Sequence, residues 1–527
     1  MKSIIQSIQH NRSRWIILSI LIFLFALAIG GMETKDWMIT VLRGLAVGSI
    51  TFLVASGFSI IFGLMDVLNL AHGTLFMVGA YIGWTVYTRP DTVIDAATPV
   101  LLLCVGFILL PLWETLLGRI HWNIKWLKII PWIGILVGAS FLIYAFPRYP
   151  ITGWSLTDQV ISPGGYSLQH SQNNLILPTP EAFTVSPFLL IIGILLGGIA
   201  VAFSFSMFKN RKEMLIDLSG ENQSPLRMPW KAVMVALVLL VAGLLFFYYN
   251  HYLSAFLVGL DTSWLFLLAI LVAVASGLVI GGVMESTLIR PLYNRPIYNL
   301  MLTLGVSGIG FDVVRSIWGN PEFTMMRPSI FNGSGEGCPA TSLSDLFTHQ
   351  CSTISILGGR VRTYNEVFIP ILGFVILIGV WLLLQRTRLG MTIRAGVQDS
   401  EMVEAMGINI RSIFTWVFAL GVGLATLGGV IAAPSMGLNT GMGETLFLNA
   451  LIALAIGGLT SYPGAAAGSF LVGLLQQFVI KYGSIGINLP FLAEPFKPTP
   501  PLVPASTILL MVIILLVLPQ GLFGRKE

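Results

Sequence analysis

Charge is what this chain has least of. Lys, Arg, Asp and Glu make up only 10% of its 527 residues, against about 25% in soluble domains. Cysteine is scarce too: Cys104, Cys338 and Cys351 are the only three. The six histidines (His10, His72, His121, His170, His251 and His349) form no HExxH, and no Cys/His cluster has zinc spacing. No Gly-Lys dipeptide occurs, so a P-loop is excluded. No GxSxG nucleophile elbow is present. Strands of about ten residues alternating apolar and polar, the mark of a membrane β-barrel, are missing as well.

Apolar sequence is what remains. The chain is 55% hydrophobic, and runs near 20 residues, long enough to cross roughly 30 Å of hydrocarbon as helices, recur from end to end. The fold class expected is an all-α polytopic membrane protein of about fourteen transmembrane segments. These are 15–32, 38–62, 74–89, 97–117, 128–147, 187–208, 231–250, 264–285, 299–318, 366–385, 411–434, 444–459, 463–483 and 505–520. The short run at 444–459 reads as part of a broken or re-entrant element. No small-residue cleavage site follows the first run, which is therefore read as a retained helix.

Basic residues orient the segments. With the N-terminus inside, 19 Lys and Arg fall in inside loops and 7 in outside loops, the bias expected of cytoplasmic loops. Both termini are then cytoplasmic. The net charge of +5 sits in short loops beside apolar runs, which does not suggest nucleic acid. Two outside loops are long: 148–186, rich in Pro, Gly, Ser, Asn and Gln, and 319–365, which carries Cys338 and Cys351. An oxidising compartment there lets the two cysteines pair; two free thiols are the alternative. Cys104 reads as a small buried hydrophobe.

Two stretches carry unexpected polarity. The first is GLMDVLNLAHG, Gly63–Gly73. Taken as a short helix, it places Asp66, Asn69 and His72 within one 120° sector, bracketed by Gly63 and Gly73. Polar groups at membrane depth line a bundle interior or a water-filled path, so Asp66, Asn69, His72 and Gly73 are candidates for a translocation path. The alternative is an interfacial turn in which Asp66 and Asn69 cap helix ends. No metal ligand is expected here. The second stretch is RAGVQDSEMVEAMGINIRS, Arg394–Ser412, on the inside. It predicts a short amphipathic helix stopped by Gly407, with Arg394, Asp399, Glu401 and Glu404 beside apolar Ala395, Val397, Met402, Val403, Ala405 and Met406. Such a helix can fill a groove on a partner; a solvated connector is the plain alternative.

Together these stretches resemble the inner-membrane permeases of branched-chain amino acid ABC importers, a family that includes urea and amide permeases. Asn69-Leu70-Ala71-His72-Gly73 is similar to the family's Asn-Phe-Ala-His-Gly, with Leu70 for Phe. Arg290-Pro291-Leu292 resembles its cytoplasmic turn, and Thr303-Leu304-Gly305 follows in order. Arg394, Ala395, Asp399, Ala405, Gly407, Ile408 and Asn409 resemble its coupling loop, here 394–409 with Glu404 inside it. Gly457-Gly458, Ser461-Tyr462-Pro463-Gly464 and Leu518-Pro519-Gln520-Gly521 complete the series. The likeness covers about 38–89 and 264–527, leaving 90–262 as an insertion of four spans between an N-terminal region, 1–89, and a core region, 263–527.

The resemblance implies a transport subunit rather than an enzyme, in the bacterial inner membrane. It carries no cofactor of its own; ATP is used by cytoplasmic ABC ATPase subunits. A second homologous permease, an extracytoplasmic solute-binding protein and membrane lipid are the implied partners. The cargo implied is a branched-chain or other neutral amino acid, with urea or a short amide as runner-up. A rival class is a stand-alone channel or proton-coupled carrier using Asp66, His72, Asp312 and Arg315. The last two, spaced i, i+3, are expected to pair with each other.

Overall fold

A computed structural model of the chain describes residues 16, 19–117, 124–151, 184–216, 228–293, 295–320, 322–398, 400–488 and 494–524. Asp399 and most of the loops expected at 148–186 and 209–230 lie outside these residues. An apolar run without water must satisfy its backbone within itself, and the helix does this. The chain opens with α1 (Ser19–Gly30), α2 (Thr34–Met65) and α3 (His72–Thr88). Next come α4 (Pro90–Ile108), α5 (Leu110–Leu117), α6 (Ile124–Ala145), α7 (Pro187–Ile216), α8 (Trp230–Tyr248) and α9 (Asn250–Val258). Helices α10 (Thr262–Met284), α11 (Pro296–Trp318), α12 (Leu343–His349), α13 (Ile369–Arg386), α14 (Arg388–Gln398) and α15 (Ser400–Ala405) follow. The last four are α16 (Ile410–Met436), α17 (Met442–Gly457), α18 (Tyr462–Ile485) and α19 (Leu502–Val517).

Every apolar run expected from the sequence falls on helix. Among the described residues, ten helical stretches are long and apolar enough to cross a membrane, while α1, α17 and α19 are apolar but shorter. Ten rather than fourteen meet that length among the described residues: α3 has 17 residues, α17 ends where Gly458 takes φ 111°, and α19 starts only after Pro501.

The chain forms two compact units. The larger comprises Met1–Tyr87, Gln159–Gln172 and Asp261–Glu527. Its centre is α2, against which α18, α16 and α13 pack closely because small residues sit where they cross. Gly44 and Gly48 of α2 face Leu474 and Phe470 of α18, and Ser49 meets Gly373 of α13. Gly277 and Gly281 of α10 face Thr426 and Val422 of α16, and Gly464 and Gly468 of α18 face Gly457 and Ala453 of α17. A side chain at any of these glycines would meet a neighbouring helix.

The loop after α11 is built rather than slack. Strands β1 (Thr353–Ile356) and β2 (Gly359–Arg362) pair antiparallel, from Thr353↔Arg362 to Ile356↔Gly359. Leu357 and Gly358 between them have φ 48° and 78°, as a two-residue type I′ hairpin requires. This hairpin departs from an otherwise helical reading. Helix α12 starts with a capping box between Ser342 and Asp345. Hydrogen bonds from Ser342 and Thr341 hold the Asp345 carboxyl below its usual pKa. Cys338 and Cys351 are disulfide-bonded with Cα atoms 5.5 Å apart; closing a loop of this size stabilises by about 3 kcal/mol. Ser329 Oγ donates to Asp261 Oδ1 at 2.6 Å, and Asp261 also caps α10 through Ser263 N at 2.8 Å.

The smaller unit comprises Thr88–Asp158 and Asn173–Leu260. Helices α6 and α7 pack through Gly134 and Gly138, which face Ser204 and Val201, and α4 and α7 meet at Gly106 and Gly198. Arg89 holds Asp91 in a bidentate pair, at 3.0 and 2.8 Å, with both side chains nearly fully buried. Asn250 Nδ2 donates to Asp95 Oδ1 at 2.8 Å.

Candidate functional site

The polar stretch after α2 is a helix break, not a short helix. Asp66 takes φ 53°, and its N–H closes on Phe62 O at 2.9 Å, so it caps α2 with an exposed side chain. Residues 66–71 are non-helical, so a sector argument at 100° per residue does not hold, and Asp66 is not brought to the other two. Asn69 and His72 are both fully buried. Asn69 Oδ1 accepts from Ala71 N at 3.1 Å, which shapes the turn into α3. His72 Nε2 lies 3.1 Å from Val54 O. A carbonyl can only accept, so the proton resides on Nε2. The Phe58 ring meets the imidazole edge-on at 6.0 Å. Gly57 leaves the space, since a Cβ there would stand 3.0 Å from the ring and run into Gly421. Gly73 acts by close approach: a Cβ would strike Gly443 and Phe447 of α17. Thr303 of the Thr303-Leu304-Gly305 motif accepts from Leu70 N at 3.3 Å, and Thr74 and Ser307 hydroxyls bond at 2.6 Å. Two motifs distant in sequence therefore meet. The rival pair Asp312–Arg315 does not form: Arg315, in the last turn of α11, reaches past the helix end to Asn320 Oδ1 at 2.6 Å.

The end of α10 carries a network that sequence reasoning missed. Glu285–Ile289 is a π-turn and Arg290–Leu292 a 3₁₀ turn; π-turns often mark functional sites. Glu285 is fully buried. Arg290 donates to it at 3.2 and 2.8 Å, Tyr293 OH at 2.5 Å and Thr415 Oγ1 at 2.6 Å. Every lone-pair direction of the carboxylate thus has a donor, and the Arg290-Pro291-Leu292 turn is tied to the first turns of α16. The available signal was Glu285 itself, an acid within the apolar run 264–285.

Helix α16 leads back to the predicted coupling loop. The expected helix is present on both sides of Asp399, as α14 and α15, and it starts earlier, at Arg388. Arg394 Nη1 donates to Gln385 Oε1 at 2.8 Å, fastening α14 to the end of α13. Ile393, Val403 and Ile410 are buried, while Met391, Met402 and Met406 are exposed. Glu404, Ala405 and Asn409 are exposed, and Ala395 is half-buried. Ile408 N bonds Val403 O and Gly407 N bonds Glu404 O, a Schellman ending with Gly407 at φ 82°. Asn409 Oδ1 then caps α16 through Ser412 N at 3.2 Å. The result is a Met-studded protrusion with a defined helix end.

A cavity of about 400 Å³ lies at the opposite end of α2 and α16, beside β2. Glu366, 2% exposed, stands on a second π-turn, Thr363–Phe368. It accepts from Arg43 Nε at 2.7 Å and Arg362 N at 2.5 Å. Asn365, Ser435, Asn449, Gln476 and Gln477 add polar lining. None of the residues singled out from the sequence lines it. Among the described residues, no three His, Cys, Asp or Glu side chains converge as a metal site.

The family model described as "Branched-chain amino acid transport system / permease component" matches residues 232–518. The chain is 27% identical over 274 residues to the high-affinity branched-chain amino acid transport system permease protein BraD of Pseudomonas aeruginosa, covering 51% of this chain and 79% of that one. It is 26% identical over 278 residues to LivH of Salmonella typhimurium, with the same shares. With the probable permease LivH of Methanocaldococcus jannaschii it shares 24% over 172 residues, 32% of this chain and 50% of that one. No solved structure gives a significant match.

Proposed function

Since the chain belongs to the permease-component family of branched-chain amino acid transport systems, we propose that it is the membrane subunit of an ATP-driven importer of branched-chain or other neutral amino acids. ATPase subunits on the cytoplasmic side supply the work, a second permease completes the path, and an extracytoplasmic binding protein delivers the solute. Residues 90–262 are read as an insertion relative to the family; relatives that match only half of this chain support unmatched sequence, and the family match, beginning at residue 232, takes in the last part of that stretch.

The observation that carries the proposal is the α14–α15 protrusion. Flexible methionines suit a docking face that must repack as a partner moves. Met391, Met402 and Met406 present such a face, while Ile393, Val403 and Ile410 anchor it to the permease. A push on this loop passes into α16, and from there through Thr415, Glu285 and Arg290 to the end of α10. Glu404 offers a charge for a basic residue of the ATPase.

Vesicles holding the assembled transporter, supplied with ATP and no ion gradient, test this. The expected result is leucine accumulation that stops when ATP is withheld. Accumulation driven by a proton or sodium gradient without ATP would establish the stand-alone carrier instead. Urea uptake without leucine uptake in the same vesicles would favour the amide-permease reading.

A further inference from the structure

The cavity around Glu366 belongs to neither the helix break nor the coupling loop. Its volume, about 400 Å³, is within the usual range for small-molecule sites. Its charges are unbalanced, with two guanidinium groups, Arg43 and Arg362, lining it against the single carboxylate of Glu366. Arg43 uses only Nε on Glu366. Its side chain remains 49% exposed, and its two terminal nitrogens donate to no protein group among the described residues. That leaves the paired donors that fit a carboxylate edge-on. Arg362 is exposed at the same cavity. Behind it lies Arg327, whose buried Nε has no hydrogen-bond partner. Burial, together with the like charge of Arg362, lowers the Arg327 pKa. Positive charge thus exceeds negative, and an anionic group would relieve the excess.

The carboxylate of Glu366 is nearly inaccessible from solvent, yet its π-turn sets it in the cavity lining. Each oxygen takes one donor from the protein, and a carboxylate oxygen accepts two. Ile50, Ile369 and Leu446 supply an apolar wall. Ile50 is one helical turn from Val54, the carbonyl that holds His72, and Leu446 adjoins Phe447, which packs on Phe58 at 5.7 Å.

We propose that this cavity is a binding site for a zwitterionic α-amino acid with an aliphatic side chain. Its carboxylate lies on the free edge of Arg43, its ammonium on Glu366, and its side chain against Ile50, Ile369 and Leu446. The assignment rests on the amino acid permease reading and adds a rule to it. The surplus of guanidinium groups rejects amino acids with a cationic side chain, and urea, lacking both charges and an aliphatic group, gains little from the site.

The test uses the full-length chain in lipid nanodiscs with Cys104→Ser and Ser435→Cys, so that one free thiol stands at the cavity. Modification by a soluble thiol reagent is timed alone and with leucine, lysine or urea. Leucine is expected to slow it, with lysine and urea without effect. In Arg43→Gln the leucine concentration needed should rise about 10- to 100-fold, the loss of a charge-assisted contact. Arg43→Lys should recover part of it, and ligand-free labelling unchanged in either variant shows the cavity intact. Equal labelling with and without leucine overturns the site, as does protection by lysine matching that by leucine, or undiminished protection in Arg43→Gln. ATP-driven leucine uptake in vesicles alongside a failed protection assay would sink this inference alone, leaving the importer reading standing.

Discussion

Glu285 is the residue with most at stake, a fully buried carboxylate with four hydrogen bonds donated to it. Breaking a buried ion pair from one side costs about 3–5 kcal/mol. Because Arg290 keeps 33% of its exposure, Glu285→Gln should cost nearer about 2 kcal/mol. Thermal unfolding of the purified protein measures this. Adding Arg290→Gln should cost less than the sum of the single changes, and strictly additive losses would mean the pair is not coupled. Asn69 and His72 are as fully buried as Glu285. Asn69→Ala and His72→Ala should reduce uptake while membrane levels stay near normal, which uptake normalised to immunoblot checks; unchanged uptake in both would remove them from the path. These two were legible in the sequence as polar residues amid apolar runs. Asp66 looked equivalent only because a helix was assumed; its left-handed backbone is a local outcome of the chain ending α2 there. Glu366 was passed over because an acid at the edge of a run reads as a loop residue. Its partner Arg43 lies 323 positions away, beyond the reach of any local pattern.

At the scale of elements, apolar length alone marked the helices, since a lipid-facing run has no other way to satisfy its backbone. The glycine pairs were visible but uninformative. With 55 glycines in the chain, only the packing tells which pairs touch. The hairpin β1–β2 was missed because eight strand residues compete with a surrounding helical signal and because Leu357-Gly358 is not one of the usual two-residue hairpin turns. The coupling loop was legible at one end, where Gly407 reads as a stop; that Asn409 caps the next helix emerged only from the structure. A β-branched residue at φ 82° strains the backbone by about 1–2 kcal/mol. That is enough to displace α15 without unfolding the bundle. Gly407→Val, alone or with Glu404→Lys, should leave insertion intact and lose ATPase co-purification or ATP-driven uptake. An intact complex with full uptake in the double variant would rule the loop out as the main coupling surface.

For the whole molecule, orientation follows from where Lys and Arg gather. The 19-to-7 bias predicts that 148–186 lies outside and 209–230 inside. In a Cys104→Ser background, Ser171→Cys and Ser219→Cys should therefore react with an impermeant thiol reagent from opposite faces. Both reacting from one face would overturn the fourteen-segment topology. The same frame sets the two buried glutamates at opposite ends of the larger unit, each seated on a π-turn. A π-turn spends one residue more than the same turn of α-helix would. That extra residue widens the backbone where each carboxylate sits: delete a single codon within either turn, and the turn can close to ordinary helical width. Such a chain would keep its hydropathy, its spans and nearly all its composition. Yet the widened backbone that seats Glu285 against Arg290, or Glu366 against Arg43, would be gone.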